Sequence, residues 1–257
     1  MNFPFSLIES LRAAKKIVAL TGAGISAESG LATFRDAQTG LWSKFRPEEL
    51  ATAEAFQRDP KFVKDWYAWR RENAMNAKPN AGHLALAEIE KRASEFLLVT
   101  QNVDGLHARA GSKRIVELHG NIHRFRCFEN DCANDNFDLG QQRCRSCGGH
   151  LRPDVVWFGE MLPTAALESA ISASENCDVF FSIGTSSMVY PAAYLWRRAR
   201  DNGAIVIEIN KDATPLSPLA DYSLLGRSGE ILPALVTKIW DKNDVHWDTK
   251  PDKIHIE

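Results

Sequence analysis

No stretch of the 257-residue chain approaches the roughly 20 consecutive apolar residues that a membrane-spanning helix needs. The N-terminus, MNFPFSLIESLRAAKK, lacks a secretory apolar region followed by a cleavage site. A first core strand expected near Lys16 leaves no room before it for a transit peptide. Charge of one sign is missing too. The 31 basic and 33 acidic residues give a formal net charge of −2, so no polyanion-binding surface is expected and nucleic acid is not an expected substrate. Cysteine is scarce, and its placement matters more than its number. Four of the five cysteines fall between Cys127 and Cys147, clustered like metal ligands and not dispersed like a disulfide framework. These absences point to a soluble protein in a reducing, cytoplasmic setting. No repeat, low-complexity segment or heptad stripe is present, which leaves the oligomeric state open.

Short apolar runs alternate with longer segments of helical pattern. Ser6-Leu7-Ile8-Glu9 has the form of a capping box opening a helix. KIVALT (16–21), EFLLVT (95–100), residues 114–118, DVFFSI (178–183), AIVIEI (204–209) and 222–225 are expected strands. Residues 80–92, a segment opening near Pro191, and about 229–241 are expected helices. Residues 44–79 form a helical insertion in which Asp59-Pro60 supplies an N-cap and first-turn pair. Residues 121–151 are polar, Cys-rich and Gly-containing, and make a separate small module. The tail, 243–257, is charged and expected to be loose. Strands alternating with helices imply an α/β fold, a parallel sheet with helices on both faces.

The segment TQNVDGLHARAGSKRIVELHG (100–120) carries the chemistry. Gln101, Asn102 and Asp104 follow one expected strand, and His119 follows the next. Strand ends are where an α/β sheet builds its site. An amide, a carboxylate and an imidazole in one crevice can hold a ribose and move a proton. Asn-x-Asp can equally cap a helix, and a histidine after a strand can simply be solvated.

Gly22-x-Gly24-x-x-Ala27 follows the first strand and fits the relaxed dinucleotide fingerprint. The first glycine would allow a tight turn, and the second would let backbone approach a pyrophosphate at a helix start. The fingerprint's acidic residue, due about 20 residues later at the end of a second strand, falls instead in the insertion. A hydride-transferring dehydrogenase is therefore a poor fit, whereas a dinucleotide site is not. Phe34-Arg35 in the same loop could cover such a site, or be a packed Phe beside an exposed Arg.

Cys127-x4-Cys132-x11-Cys144-x2-Cys147 has the form of two metal knuckles. Four thiolates suit tetrahedral zinc and leave no open position for water, so the zinc would be structural. The alternative, a redox pair, would normally place Cys-x-x-Cys at the start of a helix beside a strand. His123 and His150 flank the module as expected non-ligands. Cys177 stands apart as a buried small hydrophobe.

With GAGISAESG (22–30), TFRD (33–36), TQNVDGLH (100–107), ELHG (117–120), the four cysteines, PDVVWFGE (153–160), GTSSMVYPAA (184–193) and EIN (208–210) in this order, the chain resembles the sirtuins, the NAD-dependent protein deacylases. The resemblance spans about residues 16–230. It implies a Rossmann-like domain made of 1–43, 80–120 and 152–242, with a zinc ribbon at 121–151 and the helical insertion at 44–79. NAD as co-substrate and an acylated lysine of a protein or peptide would meet between them. Carried over, Gly22, Ala23, Gly24, Ser26, Ala27, Phe34, Arg35 and Trp42 would enclose NAD. Gln101, Asn102 and Asp104 would hold its nicotinamide ribose and carboxamide. Gly184, Thr185 and Ser186 would contact the phosphate and adenosine side, Asn210, Lys211 and Asp212 would lie at the adenosine ribose, and Ser228 near the adenine. His119 would be the catalytic base. Val156, Phe158, Gly159 and Glu160 would pair with the substrate backbone by strand addition. The implied reaction breaks the glycosidic bond of NAD and gives nicotinamide, O-acyl-ADP-ribose and free lysine.

Tyr67 and Arg70 lie three apart on an expected helix, hence side by side. A phenol and a guanidinium can grip a carboxylate together, although an incidental arginine on an exposed helix would look the same. The resemblance favours recognition: the Tyr-x-x-Arg branch, class III, prefers succinyl, malonyl and related acidic acyl groups, with accompanying deacetylation. Ala32-Thr33-Phe34, where many deacetylases carry Pro-Asp-Phe, and small Ala51 agree with that branch. Mono-ADP-ribosyl transfer and an NAD-sensing binding module are the alternatives on the same fold. The intact His119 and the Tyr67/Arg70 pair weigh against the first, and intact Asn102, Asp104 and His119 against the second.

Overall fold

The structure is a computed structural model that describes residues 1–33, 45–130, 132, 141 and 143–240. The expected tail and the residues Phe34, Arg35 and Trp42 lie outside the described residues.

Helix α1, Phe5–Ala13, begins one residue before the expected cap. Pro4 holds the N-cap position with no side-chain bond, its φ of −53° already set by the ring. Ser6 therefore lies inside the helix, and its Oγ accepts a hydrogen bond from the Tyr222 hydroxyl at 2.9 Å. Strand β1, Lys16–Thr21, is exposed only at Lys16. It turns directly into α2, Ala23–Ala27. The insertion holds α3, Pro47–Leu50, α4, Ala53–Arg58, and α5, Pro60–Asn76. Thr52 caps α4 by accepting from Ala55 N at 3.1 Å, and Asp59 caps α5 by accepting from Phe62 N at 3.0 Å. Each such cap contributes about 1 kcal/mol. Helix α6, Ala81–Arg92, is capped by Asn80. Then follow β2, Glu95–Thr100, α7, Leu106–Arg109, β3, Ile115–Glu117, β4, Gly120–Cys127, and β5, Leu151–Val155. The chain continues with α8, Thr164–Glu175, β6, Val179–Ile183, a 3-10 turn at Ala192–Tyr194, and α9, Leu195–Asp201. It closes with β7, Ile205–Asn210, β8, Tyr222–Leu225, and α10, Ser228–Trp240.

Six strands make one parallel sheet in the order β3-β2-β1-β6-β7-β8, while β4 and β5 form a separate antiparallel pair. Alternation along the strands feeds two cores. Ile17 and Ala19 face α1, α6 and α10, and Val18 and Leu20 face α8 and α9. Helices thus cover both faces, as buried parallel strands require. A third core joins the helical insertion to the antiparallel pair: Phe56, Val63, Trp66 and Tyr67 pack with Ile122, Val155 and Trp157. Among the described residues no helix is long and apolar enough to cross a membrane.

Candidate active site

Strand register assembles the site. One row of the sheet runs Glu117, Thr100, Thr21, Ile183, Ile209. The residues just beyond it are Leu118-His119, Gln101-Asn102, Gly22, Gly184-Thr185 and Asn210. The chain leaves β1 toward β2 on one side, and β6 lies on the other. That reversal of strand order opens a crevice at the carboxyl ends of β1 and β6.

Two loops close on each other there. Gly22 N donates to Ile183 O at 2.9 Å, and Gly24 N donates to Gly184 O at 2.8 Å. A Cβ on Gly24 would sit 2.7 Å from Gly184 Cα, and one on Gly22 would sit 2.8 Å from Gly184 O. Gly184 has φ +58°, where a side chain is strained, and its own Cβ would overlap the Ile25 amide. Gly22 itself is extended, with φ −123°. The glycines are thus demanded first by loop-on-loop contact rather than by a tight turn.

Behind this contact lies a buried polar network. Ser26 Oγ donates to Asp104 Oδ2 at 2.7 Å, and Asn102 Nδ2 donates to Gly22 O at 3.0 Å and to Ser26 Oγ at 3.1 Å. Asp104 Oδ1 accepts from Leu106 N at 2.9 Å. Burial pushes the Asp104 carboxyl above its usual value, opposed by the bonds from Leu106 and Ser26. Thr21, Thr100, His83 and His107, which the sequence reading passed over, sit beneath. Thr21 Oγ1 bonds Thr100 Oγ1 at 2.8 Å and His107 Nε2 at 2.9 Å, and the two histidine rings lie 4.8 Å apart. Burial lowers both histidines, His83 to about 4. Their one signal in the sequence was polarity inside otherwise apolar segments.

Across the crevice Gln101 Nε2 donates to Thr185 Oγ1 at 3.1 Å, and Asn210 Nδ2 donates to Thr185 O at 2.8 Å. Ser186 is half-buried beside them, while Lys211 and Asp212 are exposed beyond β7. Ser228 starts α10 and donates to Glu28 at 2.6 Å. Ala23 is half-buried and Ala27 exposed at the mouth.

His119 Nδ1 lies 2.9 Å from the carbonyl of Gln101. A carbonyl only accepts, so Nδ1 carries the proton and Nε2 keeps its lone pair. Among the described residues Nε2 bonds nothing. Burial pushes the imidazole below the usual histidine value, opposed by the Gln101 bond. The result is a neutral ring with one fixed donor and one open base.

Val156 N donates to His119 O and Phe158 N donates to Ala51 O, both at 2.9 Å. Phe158 and Gly159 are exposed. The Glu160 carboxylate accepts from Trp157 N at 2.8 Å and pairs with Arg152, so its side chain ties this segment down. On α5, Tyr67 is buried and the Arg70 guanidinium lies 4.8 Å from the Trp66 ring and 5.6 Å from the Tyr67 ring. Burial lowers the Arg70 value, opposed by the nearby Tyr67 and by the Asp104 charge.

The four cysteines come together as expected. Their Sγ atoms all lie within 4.8 Å of one another. Zinc with bonds of about 2.3 Å needs sulfurs about 3.8 Å apart, so the donor set fits one ion. Cys144-Arg145-Ser146-Cys147 forms a turn closed by Gly148 N to Cys144 O at 2.9 Å, without a following helix, which removes the redox-pair alternative. His123 bonds the Asp104 carbonyl at 2.9 Å, and His150 lies against Phe56.

A Sir2 family model matches residues 22–191. The chain is 50% identical over 231 residues to a protein from Pyrococcus furiosus named NAD-dependent protein deacylase, covering 86% of this chain and 92% of that protein. It is 54% identical over 211 residues to a protein of the same name from Aquifex aeolicus, covering 80% and 87%. A solved structure described as a Sir2 homolog–NAD complex superposes with a TM-score of 0.86 at 46% identity, covering 93% of this chain and 94% of that one.

Proposed function

The chain belongs to the Sir2 family, the sirtuins, and on that premise we propose that it is an NAD-dependent protein-lysine deacylase removing succinyl and malonyl as well as acetyl groups. The products are free lysine, nicotinamide and O-acyl-ADP-ribose. When bound, NAD supplies an activated glycosidic bond whose ribose carbon takes the acyl oxygen.

The observation that carries this reading is the fixed tautomer of His119. Its Nε2 is held basic at the mouth of the crevice and accepts a proton from a ribose hydroxyl. Asn102 spends its amide hydrogens on Gly22 and Ser26, so its carbonyl oxygen is the group left to meet the nicotinamide end. Asp104 and Ser26 hold that wall in place. Gly22, Gly24 and Gly184 let the two loops that flank the phosphates close on each other, and Thr185 and Ser186 lie beside them. Asn210, Lys211, Asp212 and Ser228 face the adenosine half. With the amides of Val156, Trp157, Phe158 and Glu160 already bonded, the segment offers the exposed Gly159 backbone to the peptide, and Tyr67 with Arg70 takes the acid end of the acyl chain. Four reduced thiolates at one zinc agree with a cytoplasmic setting.

Two variants test the assignment. His119→Tyr should keep NAD binding and lose turnover; near-normal deacylation by it would sink the base. Arg70→Met keeps length and apolar bulk but removes the charge. A charge-assisted hydrogen bond contributes about 1.5–3 kcal/mol, so the succinyl-to-acetyl ratio of kcat/KM should drop about tenfold to a hundredfold. An equal loss toward both peptides would make Arg70 structural.

A further inference from the structure

Tyr67 is 1% exposed, and among the described residues its one hydrogen bond comes from Trp157 Nε1 at 2.9 Å. An indole N–H can only donate, so the phenol oxygen is the acceptor. The phenol's own hydrogen is therefore directed away from Trp157. Burial raises the Tyr67 value, which keeps that hydrogen on the oxygen. The result is a buried phenol donor with no acceptor among the described residues, beside a guanidinium.

The indole is itself held from several sides. The Arg152 guanidinium lies 3.3 Å from the centre of its ring, and Arg152 is 2% exposed. Arg152 pairs with Glu160, and the same Glu160 accepts from the Trp157 amide at 2.8 Å. The next residue's amide, Phe158 N, is fixed on Ala51 O at 2.9 Å. Phe56 packs against the ring at 5.3 Å between centroids. A side chain pinned in this way presents its N–H in one direction.

We propose that Trp157 is a positioning residue for acyl selection: its indole N–H occupies the acceptor side of Tyr67 and so turns the phenol into a donor for an anionic acyl group. The inference rests on the reading of Tyr67 and Arg70 as the acyl-recognition pair. A phenol free to rotate could present its lone pairs to a carboxylate and repel it; the Trp157 bond removes that orientation. An acetyl group, with no acceptor at this depth, gains nothing from it.

The test is a double-mutant cycle of Trp157→Phe and Tyr67→Phe, read as KM and kcat on one peptide carrying succinyl-lysine or acetyl-lysine. Tyr67→Phe should raise the succinyl KM relative to the acetyl KM. Trp157→Phe should shift the same ratio about threefold to tenfold, the value of one neutral hydrogen bond, with the ratio of kcat values unmoved. In the Tyr67→Phe background Trp157→Phe should shift the ratio no further. Replacing Trp157 by benzothienylalanine, which keeps the indole shape without the N–H, should reproduce the shift if the phenylalanine variant does not fold. A Tyr67→Phe effect with none from either Trp157 replacement would overturn the inference alone. No effect from Tyr67→Phe or Arg70→Met would overturn the recognition reading beneath it. Parallel losses for both acyl groups would make the indole bond purely structural.

Discussion

Substituting alanine for Gly24 tests the loop contact at the centre of the site. The new methyl carbon would lie 2.7 Å from Gly184 Cα, whereas ordinary contact begins at 3.4 Å. Backbone stands on both sides, so no flexible side chain can yield. The two loops must part by about 3.4 − 2.7 = 0.7 Å, which breaks the bond from Gly24 N to Gly184 O at 2.8 Å. Overpacking of this kind costs about 1–3 kcal/mol. In a chain of this length that lowers Tm by a few to about 10 °C. The functional cost is larger. One loop carries Ser26, which holds Asp104 and Asn102, and the other carries Thr185, which holds Gln101. A displacement near 1 Å between groups that must converge can lower kcat/KM about a hundredfold. Gly203→Ala is the control. Its φ of +91° adds strain, but nothing lies within 4 Å and the turn is remote from the crevice. It should lower Tm without changing the KM for NAD. Thermal melts and steady-state kinetics at varied NAD check both. A Gly24→Ala protein with the parent's Tm and KM for NAD would refute the reasoning.

Three further outcomes follow from the chemistry. If His119 is the base proposed above, burial holds its value below 6.5, so kcat/KM should be level near pH 7 and fall only as pH drops through that lower value; a profile still rising at pH 8 would assign the base elsewhere. His83 and His107 are buried neutral, so the unfolded chain takes up protons below about pH 6.5 while the folded chain does not until His83 titrates at about 4. Across that window stability should fall with decreasing pH by up to about 3 kcal/mol per pH unit for the pair, and a Tm unchanged between pH 7 and 5 would contradict it. The purified protein should carry one zinc ion per chain, lost with Cys144→Ser, and a strong chelator should lower Tm; full stability and activity without zinc would remove its structural role.

Much of the sheet was legible because its strands are short, mostly apolar runs bounded by charge or turn residues. KIVALT and EFLLVT match β1 and β2 residue for residue. The helix α8 was missed because TAALESAISASE buries only Ala170 and Ser174 and starts at Pro163 with no side-chain cap, so neither periodicity nor a cap announced it. Pro4 holds the cap position that the sequence assigns to Ser6. The site motifs were visible because they stand at strand ends. The reason for the glycines was not, since the neighbour that demands Gly24 is Gly184, 160 residues away in sequence. The sharing of one core by the insertion and the β4–β5 pair was hidden for the same reason. So was the Trp157 bond to Tyr67, which joins α5 to a segment 90 residues later.

The most direct test is steady-state deacylation of one peptide bearing succinyl-lysine or acetyl-lysine, with and without NAD. NAD-dependent turnover of both, with the larger kcat/KM for succinyl and release of O-acyl-ADP-ribose, is the expected result. Turnover without NAD, or none of either peptide with NAD present, would contradict the deacylase assignment, and a preference for acetyl would confine Tyr67 and Arg70 to a structural role.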